Sequence, residues 1–231
     1  MKVSLCFSGQ PRYLNDAYDG IYENILEKYS PDVFVHTWWE ESMANKKMDL
    51  PQTLSYGRSY YWEENTIDII QKLYSPKKLF YQPQIEFETY QDVDYELVRP
   101  SHVHSMFYSI EESNKLKIQY ENENRFVYDV VIRCRFDVKF NKFDIDLSEV
   151  DMGYINCPVH TTNFPNDQFA ISSSKNIDIY SSTYSSLCEY KKSGWTEFVG
   201  ERLLKHHLDS NNLRWNNPEL NGKIDVNIII K

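Results

Sequence analysis

Apolar positions along the chain follow two periods, and the alternation between them predicts strands and helices in turn. Residues 2–7 form a short apolar run that opens into Ser8, Gly9, Gln10, Pro11 and Arg12. Leu14, Tyr18, Ile21, Tyr22, Ile25, Leu26 and Tyr29 then recur at the spacing of a helix that packs one face on a sheet. Residues 32–39 read as a second strand ending in His36, Thr37, Trp38 and Trp39. Residues 40–62 carry no period and read as a long aromatic loop around Tyr56, Gly57, Arg58, Tyr60, Tyr61 and Trp62. A short helix over 66–74, with Ile67, Ile70 and Leu73 on one face, stops at Ser75-Pro76 and precedes a strand at 78–82. Residues 83–100 are a polar surface connection. A long helix over 102–120 follows, with Met106, Phe107, Ile110, Leu116 and Ile118 turned inward.

The central signal is the stretch 126–138. Residues 127–132 are almost continuously β-branched or aromatic, the composition of a strand buried on both faces. At its carboxyl end the chain switches to Arg133, Arg135 and Asp137. Beyond it, 151–157 reads as a strand, Asp167-Gln168 opens another, 175–190 and 195–208 read as helices, and 223–230 closes the chain as a strand. Strands alternating with helices predict an α/β protein with a mainly parallel central sheet flanked by helices. The length of 231 residues suits one domain with a sizeable core.

Composition removes several classes of function. A net charge of −9 argues against a partner that is a nucleic acid polymer, so an anionic ligand must meet a local group of arginines or a metal. Mean hydropathy of −0.61 and the lack of a long apolar run predict no transmembrane segment. The first apolar run is too short for a secretory signal, which predicts a cytoplasmic protein. Cys6, Cys134, Cys157 and Cys188 are scattered without zinc or disulfide spacing, and three of them fall in or beside expected strands as small core residues.

Ligands of open α/β sheets bind beyond the carboxyl ends of the strands, which directs attention to the residues at strand exits. Arg135 and Asp137 are two apart in an extended segment and share a face. Such a carboxylate can take a hard divalent cation, and the cation with arginine can hold a diphosphate; pairing of Arg135 with Asp137 is the structural alternative. Gly9 permits a tight turn, and the loop and following helix N-terminus offer an anion seat beside Arg12. His36 and Thr37 are candidates for a nucleobase pocket, with a structural histidine as the alternative. Asp167 beside Gln168 suits a sugar-hydroxyl binder or general base, against an Asp that caps its own turn. His206 and His207 are adjacent, point to different faces and form no chelate; they are read as surface histidines.

Four segments, residues 7–12, 32–38, 128–137 and 166–169, taken in that order resemble a group of small GT-A-type glycosyltransferases found in bacterial polysaccharide clusters and in large DNA viruses or phages. The resemblance implies a single GT-A-like, Rossmann-type domain with a nucleotide-binding half over about 1–138 and an acceptor half over about 139–231. It implies a nucleotide-sugar donor, a glycan or other hydroxyl acceptor, and Mn²⁺ or Mg²⁺ on the donor diphosphate. Ser8, Gly9, Gln10, Arg12, His36, Thr37, Arg133, Arg135 and Gln168 would then bind the donor, Asp137 the metal, and Asp167 and Glu201 would be the catalytic carboxylates. Such enzymes end a strand in Asp-x-Asp; this chain has Arg135-Phe136-Asp137, so Arg135 would replace part of the cation's charge. The literal strings at 92–94 and 144–146 follow no buried strand and are rejected as the metal motif. A catalytically silent nucleotide- or sugar-binding domain is the alternative, and a nucleotidyltransferase or phosphatase a third reading.

Overall fold

The computed structural model describes residues 1–49, 59–90, 93–94, 100–158, 164–215 and 217–229. Its centre is a five-stranded sheet of β1 (Val3–Gly9), β2 (Asp32–Trp38), β5 (Lys78–Gln82), β6 (Val130–Cys134) and β8 (Phe169–Ser172), in the order β5-β2-β1-β6-β8. The first four are parallel and β8 runs antiparallel to β6. Helix α1 (Leu14–Ile21) continues through a π-helical segment (Tyr22–Leu26) and a last turn (Glu27–Tyr29), and α2 (Thr66–Tyr74) precedes β5. Helix α3 (Pro100–Asn124) leads into β6. After β8 come α4 (Ser174–Ser181), α5 (Thr183–Lys192) and α6 (Gly200–Ser210). Two antiparallel pairs stand outside the sheet: β3 (Lys47–Asp49) with β4 (Ser59–Tyr61), and β7 (Val138–Phe143) with β9 (Ile224–Ile228).

Alternation within the strands sorts side chains into two apolar layers. Val3, Leu5 and Phe7 of β1, with Val130, Ile132 and Cys134 of β6, pack against Leu14, Ile21, Ile25 and Ile70 of the first helices. Cys6 and Val131 face the other way, toward Phe107 and Ile110 of α3, Tyr180 of α4 and Leu203 and Leu204 of α6. The layers cover both faces of the sheet, as parallel strands require.

Phe136 decides how the chain leaves β6. Its ring is buried in the first layer and lies parallel to Phe7, with centroids 4.9 Å apart. Seating Phe136 there turns its neighbours Arg135 and Asp137 to the opposite face, where the functional groups gather. The backbone of Asp137 is clamped as well, since Ile229 N–H donates to its carbonyl at 2.8 Å.

Several expectations change. Val127 is 65% exposed and β6 starts at Val130, because the segment before it is still crossing from α3 to the sheet edge. Residues 151–157 make only isolated bridges from Tyr154 and Asn156, and the second half pairs through β7, which the sequence reading passed over. The 40–62 stretch carries the β3–β4 ladder, with Tyr60 and Trp62 buried against Tyr13 and Trp39; Tyr56, Gly57 and Arg58 lie outside the described residues, as does Asp92. The 175–190 helix is two helices meeting at Ser182, and the last helix begins at Gly200, not 195.

Candidate functional site

The strand order reverses between β1 and β6: β2 and β5 extend one way from β1, and β6 and β8 the other. A crevice outside the carboxyl ends of the strands at such a reversal is where open α/β sheets take ligands. Four segments meet there: the loop after β1, the exit of β6, the turn before β8, and the middle of α3.

The first two are joined by charge. Asp137 accepts from Arg135 through both oxygens, Nε to Oδ1 at 2.9 Å and Nη2 to Oδ2 at 2.8 Å, and its Oδ2 also accepts from Arg12 Nη2 at 2.8 Å. The pairing of Arg135 with Asp137 is therefore present, and Arg12 completes it from the first loop. Asp137 is only 2% exposed. Burial alone would raise its carboxyl; the two guanidinium charges outweigh that and hold it below the usual carboxylate range.

Arg133 is buried beneath this pair, 1% exposed. Its Nη1 donates to the carbonyl of Asp167 and its Nη2 to Ser8 Oγ at 3.3 Å, tying β6 to both the first loop and the turn before β8. Its Nε has no partner among the described residues, nor does Arg12 Nε. The hydroxyl of Tyr180 on α4 is likewise buried and unpartnered, within the electrostatic reach of Arg133, Asp167 and Glu201. Buried donors without acceptors are uncommon in folded proteins; others occur elsewhere in the fold, at Trp38 and Tyr74 among them, but those on Arg12 and Arg133 belong to charged groups, for which an incoming acceptor matters most.

The turn before β8 is shaped by Asn166, whose Oδ1 accepts from the N–H groups of Gln168 at 2.7 Å and Phe169 at 3.2 Å. It is Asn166, then, that caps this turn, and the Asp167 side chain points to the N-terminus of α6. A Cβ on Gly200 would stand 2.7 Å from Asp167 Oδ2, so glycine admits the carboxylate there. Glu201, next in that helix, is half-buried. Gln168 is half-buried, its carbonyl accepting from Arg135 N–H at 3.1 Å.

The first loop differs from an open anion seat. Gly9, at φ +104°, gives its N–H to Ser109 Oγ on α3 at 2.7 Å, so that donor is already bonded. Gln10 is half-buried and its carbonyl accepts from Arg12 N–H at 2.9 Å. Thr37 donates to the carbonyl of Gly9 at 2.8 Å. His36 is fully buried, with Nδ1 2.7 Å from Ser109 Oγ and Nε2 3.4 Å from Gln82 Nε2. Gln82 can only donate there, which leaves Nδ1 as the protonated nitrogen of a neutral ring. Burial lowers the His36 pKa to about 3, in keeping with that state. His36 and Thr37 thus hold the loop from behind, and neither lines an open pocket.

Ser109 of α3, by sequence a ligand neighbour or more simply a solvated position, is fully buried. It sits inside the apolar stripe of α3, between Phe107 and Ile110, and a hydroxyl at such a position needs a partner. The same helix turns Ser113, Asn114, Lys117 and Glu121 inward, which its apolar pattern alone did not predict. His207, expected on the surface, is buried, with Nδ1 2.6 Å from the Tyr190 hydroxyl and Nε2 2.6 Å from the Ile179 carbonyl; His206 stacks on Trp195 outside.

A divalent cation would find one carboxylate at the crevice centre, with both oxygens already accepting from guanidiniums. Among the described residues no three His, Cys, Asp or Glu side chains converge as ligands. As arranged, this donor set suits an anion better than a cation. The three buried thiols offer no nucleophile, since burial pushes Cys6, Cys134 and Cys157 up to about 12, and the fourth, Cys188, is exposed on α5. No protein-family model matches the chain, and no curated protein is similar to it in sequence.

Proposed function

We propose that the chain is a GT-A-like glycosyltransferase that takes a sugar from a nucleoside-diphosphate donor to a hydroxyl acceptor. The observation that carries this reading is the meeting of Arg12, Arg133 and Arg135 at the strand-order reversal, with buried guanidinium donors still unpartnered. Three permanently charged guanidiniums suit a diphosphate, whose oxygens can take the donors that Asp137, Asp167 and Ser8 leave over. In the reaction the acceptor oxygen bonds to the anomeric carbon while the bond from that carbon to the diphosphate breaks. The arginines stabilise the charge that collects on the leaving diphosphate. Asp167, beside the Arg133 contact, is the carboxylate nearest to receive the acceptor's proton, with Glu201 one residue beyond Gly200 as its neighbour. Asp137 is a positioning residue that aims Arg12 and Arg135. No step is routed through Mn²⁺ or Mg²⁺, which enter as an arm of the assay.

The test is incubation with UDP-, GDP- and dTDP-sugars, with and without Mn²⁺ or Mg²⁺, measuring nucleoside diphosphate released. Slow release that an acceptor accelerates is the expected result. Thermal stabilisation by nucleotide with no turnover would favour the silent binding domain, a reading helped by the full engagement of Asp137. Release of pyrophosphate or inorganic phosphate would replace the proposal with the third reading. Arg12→Ala should weaken donor binding, and unchanged affinity would remove the first loop from the site.

A further inference from the structure

A second concavity lies at the other end of α6. Lys205 and Asp209 are five and nine residues from Gly200, so at 1.5 Å per residue the Asp209 turn is about 13 Å along the helix from the Asp167 contact. Asn212, in the left-handed region at φ +55°, reverses the chain there and lays Arg214 and Trp215 back beside Tyr154. The resulting cleft, about 520 Å³ and lined by Tyr154, Lys205, Asp209, Asn212, Arg214 and Trp215 among others, is within the size range of small-ligand sites.

Three features give this cleft a chemistry. The guanidinium of Arg214 lies 4.0 Å from the Tyr154 ring centroid, a cation–π contact that holds it against the ring. Its carboxylate neighbour Asp151 is 3.8 Å away, with Arg214 61% and Asp151 50% exposed, so the fork remains available. The indole of Trp215 is locked by its N–H, which donates to Asp209 Oδ1 at 3.1 Å. Finally, Gly153 leaves room for the guanidinium: a Cβ there would stand 2.8 Å from Arg214 Nη2 and 2.9 Å from Asp151 Oδ1. Lys205 stands over the Trp215 ring and Arg214 over the Tyr154 ring, and each has a carboxylate beside it, Asp209 for Lys205 and Asp151 for Arg214, so the cleft is charge-balanced on a chain of net charge −9.

We propose that this cleft binds a carboxylate-bearing sugar unit, its acid group on the Arg214 fork and the apolar face of its ring on Trp215. The Arg214 fork can take a planar carboxylate through two bonds, and Asn212 can donate to and accept from ring hydroxyls, while Asp209 holds Lys205 and the Trp215 indole in place at the edge of the cleft. This site is separate from the donor crevice and does not depend on the reading given for it.

The test is calorimetric titration of the full chain, without nucleotide, with trigalacturonate, a glucuronate oligosaccharide and sialyllactose. Each is compared with its methyl ester, and sodium acetate is titrated alone. At least one acid should bind, its ester at least tenfold more weakly, and acetate alone should give no measurable heat. Arg214→Ala should weaken the acid tenfold or more while leaving ester binding as it was, and Gly153→Ala should weaken the acid several-fold by displacing the fork. Arg214 is 61% exposed, so its variant should melt like the parent. Binding of none of the three acids, equal binding of acid and ester, acetate binding as tight as the sugar, or an unaffected Arg214→Ala variant would each overturn the proposal.

Discussion

Two buried ionic groups, one carried by α3 and one at the strand-order reversal on the same side of the sheet, are built on opposite plans. In the first, Lys117, wholly buried, donates to Glu121 Oε2 at 3.0 Å, to Asp178 Oδ1 at 2.7 Å and to Ser174 Oγ. An ammonium has three donors and each has an acceptor. Glu121 is satisfied in turn, with Oε1 accepting from Tyr128 N–H at 2.9 Å and Ser174 Oγ at 2.8 Å. In the second, three guanidiniums face Asp137 and Asp167, and donors on Arg12 and Arg133 find no acceptor among the described residues. A closed group of the first kind holds elements together. An open, positively biased group of the second kind leaves part of its solvation to be supplied from outside, which makes it the better candidate for a ligand.

The largest expected effect tests the closed group. Lys117→Met removes the cation from between two carboxylates and should destabilise the fold by about 3 to 5 kcal/mol in urea or thermal unfolding. The shift in melting temperature that UDP produces should match the parent's. A loss under 1 kcal/mol would show that the three bonds contribute little and that the contrast with the arginines is misdrawn. Asp137→Asn comes next, at about 2 to 3 kcal/mol, since Arg12 and Arg135 are partly exposed and partly screened. Here the ligand should matter. With the competing carboxylate gone the guanidiniums are free for the diphosphate, so UDP should raise the melting temperature of this variant more than that of the parent. Turnover should be lost because the forks are no longer aimed. Equal ligand shifts in both variants would reduce the arginine group to a structural one.

This pairing also explains what could be read in advance. The parallel strands, α1 and α2 were legible because each has a clear period and an abrupt stop, as at Ser75-Pro76, and Arg135 and Asp137 were legible because two residues in an extended segment share a face. That Arg12 closes on Asp137 was not, since the two are 125 positions apart and meet only through the strand order. Lys117 and Glu121 were missed, and Ser109 was expected in solvent, for a related reason: a helical stripe records where apolar groups point, and polar groups inside it take their meaning from partners on other elements. The strand expected at 151–157 reduces to single bridges, Asn156 with Ile171 on the outer edge of β8 and Tyr154 with Arg214, and Val127 is exposed ahead of the first residue of β6, because composition suited to a strand does not supply a partner along its length.

The open group has a third layer behind it, and acid should expose it. His36 is neutral in the fold, with its pKa lowered to about 3 by burial, and would titrate near 6.5 when unfolded. The unfolded chain therefore binds the extra proton first. The stability that neutral His36 contributes is complete above pH 6.5 and declines as pH falls toward 3. Between pH 6.5 and 5 the decline should be about 2 kcal/mol. Burial depresses His104 and His207 in the same direction, so the parent's slope is shared. His36→Asn should flatten part of that slope without abolishing it, as read from urea midpoints across the range. Asp137, whose pKa is held down, adds a separate loss only as pH falls below about 4, and Asp137→Asn should lack that limb. An identical slope in His36→Asn and parent would mean that the ring is hydrated or already charged.

The smallest effect separates positioning from binding. Ser109 accepts from Gly9 N–H and, in the tautomer fixed by Gln82, from His36 Nδ1–H, so Ser109→Ala strips the acceptor from two buried donors. Leaving them unpaired should cost about 1 to 2 kcal/mol, less if the loop shifts to let water reach them. The same change frees the Gly9 amide at the mouth of the crevice, where a phosphate oxygen can take it. Stability and ligand affinity should therefore move in opposite directions, with the apo protein weaker and UDP binding unchanged or a few-fold tighter. If both fall together, Ser109 works by holding the loop's shape, and the arginines alone receive the diphosphate. If stability is unaffected, the hydrogen bonds that link α3 to the first loop do not survive in solution, and the crevice is less organised than the Lys117 group on the same helix.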